Sequence, residues 1–132
     1  MDEYQKVIDL TEQLIVLAKE ADAIYEEVRK DGEEKDFYHE VKPFADRVQL
    51  ACEQWEQRVK QWMKEAEFKH LFPQQIEQTA QNLTDVSVQA FFPKTSYKRF
   101  KSHVQSVLFI LQNVKMESVR ILTQKGKGDS SL

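Results

Sequence analysis

An apolar residue returns every third or fourth position along most of this 132-residue chain. In its first part Tyr4, Val7, Leu14, Ala18, Ala21, Tyr25 and Val28 fall on one face at about 100° per residue, with Thr11 filling the remaining slot. A half-buried strand would alternate at every second residue, and no segment does so. The spacing predicts one amphipathic helix over residues 2–30. The polar turn from Asp31 to Asp36 ends it, because Gly32 tolerates a positive φ and Asp36 can cap the next helix.

Three more stripes come after it. Phe37, Val41, Phe44, Val48, Ala51, Trp55, Val59, Trp62 and Ala66 keep one phase through Pro43. That continuity predicts a single helix over 36–68, bent where the proline removes a hydrogen bond. The alternative is a helix starting at Lys42 with Pro43 in its first turn. Ile76, Ala80, Leu83, Ser87 and Ala90 mark a third helix over 73–91, opened by Pro73. Thr95 or Ser96 then caps a fourth, whose face is Tyr97, Phe100, Val104, Val107, Leu111, Val114, Ser118 and Ile121. Four such helices on short connections imply an all-α chain folded as an antiparallel up-and-down four-helix bundle with a shorter third helix. One domain should span 1–123, and the polar tail 124–132, with nothing to bury, should be disordered.

The unequal lengths matter at one end of the bundle. The third helix is about 27 Å long against about 40–50 Å for the others, so it stops partway along the second. Tyr25 and Val28 on one side, with Phe37, Val41 and Phe44 on the other, would be left open at the tip of the first hairpin. Phe91, Phe92 and Pro93 arrive there, and each ring buried would contribute about 1.5–3 kcal/mol. At least one of Phe91 and Phe92 is expected to pack against Phe44, Val48 or Tyr25.

A formal net charge of −3 and a pI near 5.7 lack the broad Lys and Arg excess of a nucleic-acid or acidic-membrane binder. The single cysteine, Cys52, can form no disulfide within the chain, as suits a reducing compartment. The runs Leu14–Ala18 and Val107–Leu111 are far too short to span a bilayer, and the acidic start has no signal-peptide pattern. The expected location is the cytoplasm.

The segments TEQLI, DFYHEVKP, FPQQIEQTAQNL and VQAFF, the last continuing into YKRFKSHVQSVLFIL, occur in that order within residues 4–122. Together they resemble the YppE-like proteins of low-GC Gram-positive bacteria. The resemblance implies a four-helix fold. Because those proteins are of unknown function, it supplies no active site.

Residues able to carry chemistry are few. Glu67 and His70 have the Glu-x-x-His spacing of bundle metal sites, and Asp36 and His39 an aspartate version of it. Their phase is wrong, since His39 points roughly 160° and Glu67 about 120° from the Trp55 stripe. His103 lies on a flank, so neither metal nor cofactor is expected. Cys52, beside Ala51 and Trp55, reads as a buried structural thiol, and Trp55 and Trp62 read as core. With no phosphate loop or zinc spacing either, the chain is expected not to be an enzyme.

Two candidate sites remain. Lys94, Lys98, Arg99 and Lys101 crowd the first turn of the fourth helix, where a cation is unfavourable by about 0.3–1 kcal/mol each. They form a candidate anion-binding site, unless acids such as Asp31, Glu33 and Glu34 neutralise them. Phe109 and Met116, one heptad apart and opposite the buried stripe, form with Gln112 and Gln105 a candidate partner-binding strip. Val16, Leu50 and Val88 also miss every stripe. The expected function is a non-enzymatic helical module for protein–protein interaction, its partner an unidentified protein or a second copy. Nucleic-acid or anion binding through the basic cluster is the alternative.

Overall fold

The computed structural model describes residues 2–130, with side chains from Glu3 to Gln124. Helix α1 spans Asp2–Asp31 and stops at Gly32. That glycine takes φ +68° and returns its N–H to the Val28 carbonyl at 2.8 Å, a left-handed stop that a β-carbon would strain.

The second stripe is not one helix. A π-helical turn, Phe37–Val41, precedes α2, Lys42–Met63. The Asp36 carboxylate accepts the His39 N–H at 2.9 Å, and the Asp36 carbonyl accepts from Glu40 and Val41 at 3.0 and 3.2 Å. Pro43 has no N–H to give, so a wider turn bridges the gap in the ladder. The chain thus adopts the alternative reading, with Pro43 in the first turn of α2. The extra residue in the turn rotates Phe37 off the core, leaving it 52% exposed, while Val41 stays buried. Phe37 is therefore not the inward residue its spacing predicts. Helix α2 also ends at Met63 and not at 68, and Phe68 and Leu71 are buried from the loop beyond it.

Helix α3 spans Pro73–Gln89 and is the shortest of the four, as its stripe implies. The Phe72 N–H before it donates to Gln75 Oε1 at 2.9 Å. Helix α4 spans Tyr97–Ser130, with the Arg99 N–H donating to Ser96 Oγ at 3.4 Å. The expected tail, 124–132, falls mostly outside the described side chains, although the backbone of α4 carries on to Ser130.

Cross-helix pairs fix the topology. Trp55 meets Thr11 and Arg47 meets Glu20 between α1 and α2. Lys115 meets Glu12 and Lys101 meets Asp22 between α1 and α4. Lys60 meets Glu77 between α2 and α3, with Cys52 beside Thr84 farther along. Residue numbers run oppositely in every pair, so neighbours are antiparallel and α1 faces α3 across the centre.

Trp55, Trp62, Tyr25 and Phe100 are fully buried along this axis. Thr11, also fully buried, donates to the Val7 carbonyl at 2.6 Å and accepts from Trp55 Nε1 at 2.9 Å. At the hairpin tip Phe91 is buried with its ring edge-on to Phe44 at 5.9 Å, while Phe92 is 44% exposed. One ring therefore closes the end that the short α3 leaves open. Tyr25 completes the closure by donating its hydroxyl to the Thr95 carbonyl and packing on Phe100.

Candidate functional site

Helix α4 carries both candidate sites, and its phase separates them. Phe100, Val104, Val107, Leu111, Val114, Ser118 and Ile121 are buried, which turns Phe109 and Met116 straight outward. Phe109 is 67% and Met116 66% exposed, with Gln112 and Gln105 exposed beside them. Val119, 45% exposed, extends the strip and was not singled out by sequence reasoning, although its distance of three residues from Met116 could have shown it. Val16 and Leu50 are also exposed, whereas Val88 packs half-buried against the core.

The charges of α4 between residues 101 and 124 lie at the edges of this strip and are paired. Lys115 reaches Glu12 at 3.4 Å, and Arg120 grips Glu117 at 2.8 Å while donating to the Glu67 carbonyl. Glu117 in turn accepts the Lys69 N–H at 2.8 Å, bracing the loop between α2 and α3. The hydrogen bond from Arg120 holds the Glu117 carboxyl below its ordinary range.

The basic cluster does not hold together as a group of four. Lys94, Lys98 and Arg99 are exposed and make no ion pair among the described residues. Lys101 is half-buried and bound to Asp22 at 2.7 Å and Glu26 at 2.8 Å. Burial alone would lower the pKa of its ammonium; the two carboxylates more than offset that and raise it. The acids that neutralise it come from the last third of α1 and not from the hairpin residues Asp31, Glu33 and Glu34. Sequence reasoning missed Arg29, which lies over Tyr97 at 4.7 Å and brings an exposed guanidinium to the same end.

The histidines are dispersed. His39 is bound to Asp36 at the π-helical turn, where its backbone N–H, and to a lesser degree its ring, holds the Asp36 carboxyl below its ordinary range. His70 is exposed at φ +63° and His103 is half-buried on α4. Among the described residues no group of three or more His, Cys, Asp or Glu comes together as metal ligands do. Cys52 is buried, and that burial pushes its thiol up to about 11, which leaves it protonated and unreactive at neutral pH.

A groove of about 460 Å³ runs between the start of α1 and the end of α2, walled by Tyr4 stacked on Trp62. Gln54, Gln57, Arg58 and Gln61 line it, with Glu3 and Glu65 at the rim. At its wall the Tyr4 hydroxyl donates to the Glu65 carboxylate. No helix among the described residues is long and apolar enough to cross a membrane.

A four-helix chain of this shape has known relatives. Residues 11–118 match the bacterial domain of unknown function DUF1798. The chain belongs to this family. It is 28% identical over 116 residues to the uncharacterized protein YppE of Bacillus subtilis, covering 88% of this chain and 94% of that one. The crystal structure of YppE superposes with a TM-score of 0.85 at 27% identity, over 90% of this chain and 97% of the other. A Listeria innocua protein of unknown function gives 0.87 at 25% identity, over 92% and 97%. The DUF1798 relatives of known structure thus share the fold, and the family's function is unknown.

Proposed function

We propose that the protein is a non-enzymatic, cytoplasmic helical module that binds another protein through the outer face of α4. One observation carries this reading. Between residues 102 and 124 nine positions of α4 are exposed and none is charged. On α1, eleven of the fifteen exposed positions from Glu3 to Asp31 are charged. Removing charge from a surface lowers the desolvation cost of covering it, and depletion of charge around aromatic and Met anchors is the compositional mark of an interface. Phe109 and Met116 are those anchors, and Gln112 supplies donors and acceptors between them.

The test compares wild type with Phe109→Asp/Met116→Asp as bait in lysate of the native cell, both checked for equal helicity. A protein held by the wild type and lost from the variant is the expected result; identical capture by both, with self-association also the same in both, removes the reading. A second reading, anion binding by Lys94, Lys98, Arg99 and Arg29, is favoured by the exposure of the first three near the start of α4, where Arg29 lies over Tyr97. It requires salt-dependent binding of single-stranded DNA or a phosphopeptide that Lys98→Glu/Arg99→Glu abolishes.

A further inference from the structure

We infer that the occupant of the α4 face is a second copy of this chain, docked antiparallel about a two-fold axis passing between Gln112 and Asn113. The inference rests on the reading of that face as an interface and names its partner. Phe109 and Met116 stand equally far from this axis on opposite sides, about 10 Å apart along the helix. Antiparallel docking therefore sets each copy's Phe109 level with the other's Met116, a sulfur–aromatic contact made twice.

Charge favours this face over the outer face of α1 for a self-contact. Two copies of a chain with net charge −3 repel at a general surface, and a two-fold axis sets like charges opposite each other wherever the face carries them. The α4 face carries none at its exposed positions from 102 to 124, and the flanking Lys101, Lys115, Glu117 and Arg120 are already tied in ion pairs. On α1, with its mostly charged exterior, the same packing would oppose unpaired charges. A single helix-on-helix contact is smaller than the standard interface of about 800 Å² per partner, so the dimer is weak and concentration-dependent.

Sedimentation equilibrium from about 10 µM to about 1 mM brackets such a weak affinity. The weight-average mass of the wild type should climb from 15.6 kDa towards twice that value, while Phe109→Asp stays at 15.6 kDa with unchanged helicity. Under mild oxidation Gln112→Cys, next to the axis, should form a disulfide dimer. Met116→Cys should not, because its two copies lie about 10 Å apart along the seam. The native Cys52 is buried and contributes no cross-link. A wild-type mass fixed at 15.6 kDa over the whole range overturns the second copy as occupant. If a different protein is then lost from the Phe109→Asp/Met116→Asp bait, the face remains an interface without being a dimer seam. Cross-linking of Met116→Cys in preference to Gln112→Cys overturns the antiparallel axis.

Discussion

Replacing Thr11 by valine tests how the core joins α1 to α2. The substitution keeps the side-chain shape and deletes the hydroxyl that accepts from Trp55 Nε1 at 2.9 Å. Both residues are fully buried, so the indole N–H is left without an acceptor, at about 1–3 kcal/mol. The added methyl returns up to about 0.8 kcal/mol. The net expectation is a loss of about 1–2 kcal/mol. With an unfolding entropy of about 2.1 cal/mol/K per residue, a chain of this size loses about 4–7 °C in Tm. Urea unfolding and thermal circular dichroism measure both quantities. The control is the same substitution in a Trp55→Phe background, where no N–H is orphaned and Thr11→Val should cost nothing. Equal costs in the two backgrounds, or a wild-type-like Thr11→Val, would show that the hydrogen bond does not couple the helices.

The packing and electrostatics set three further outcomes. Phe91→Ala should cost about 3–5 kcal/mol in denaturant titrations and Phe92→Ala under about 1, since only the first ring is buried on Phe44; equal costs would contradict the closure of the tip by Phe91. The Glu117 carboxyl sits below its ordinary 4.5 in the fold, so its contribution is fully present above that pH and is lost as pH falls through the lower folded value. Wild type should accordingly lose more Tm on acidification than Glu117→Gln, and parallel acid limbs would refute the brace. Cys52, pushed up to about 11 by burial, should react with a thiol reagent at pH 8 only as fast as the fold opens, and immediate labelling of the native protein would place it at the surface.

Much of the fold is legible because a helix converts spacing into direction. Trp55, Trp62, Leu83, Phe100 and Leu111 are buried where their phase puts them, and the short α3 matches a stripe that ends near Ala90. The failure at Phe37 has a specific cause. Phase arithmetic assumes 3.6 residues per turn, and Pro43 makes the chain enter α2 through a wider turn, so Phe37 is rotated from its expected direction. The same spacing is consistent with a bent helix or a π-helical turn. Only the Asp36 cap, with its hydrogen bonds to His39, Glu40 and Val41, distinguishes the two.

The two candidate sites differ in legibility for a related reason. Which α4 residues face outward depends on that helix alone, so the Phe109–Met116 strip can be read without knowing its neighbours. Whether a cation is free depends on what stands opposite. Lys101 is held by Asp22 and Glu26, more than seventy residues earlier, and nothing local in the sequence distinguishes it from Lys98. The basic cluster therefore splits: Lys101 serves the seam between α1 and α4, and only Lys94, Lys98 and Arg99 remain available to a ligand. That division gives the two readings separate signatures. Lys98→Glu/Arg99→Glu lies outside the neutral strip and should leave self-association unchanged while changing any salt-dependent anion binding. Phe109→Asp should do the reverse.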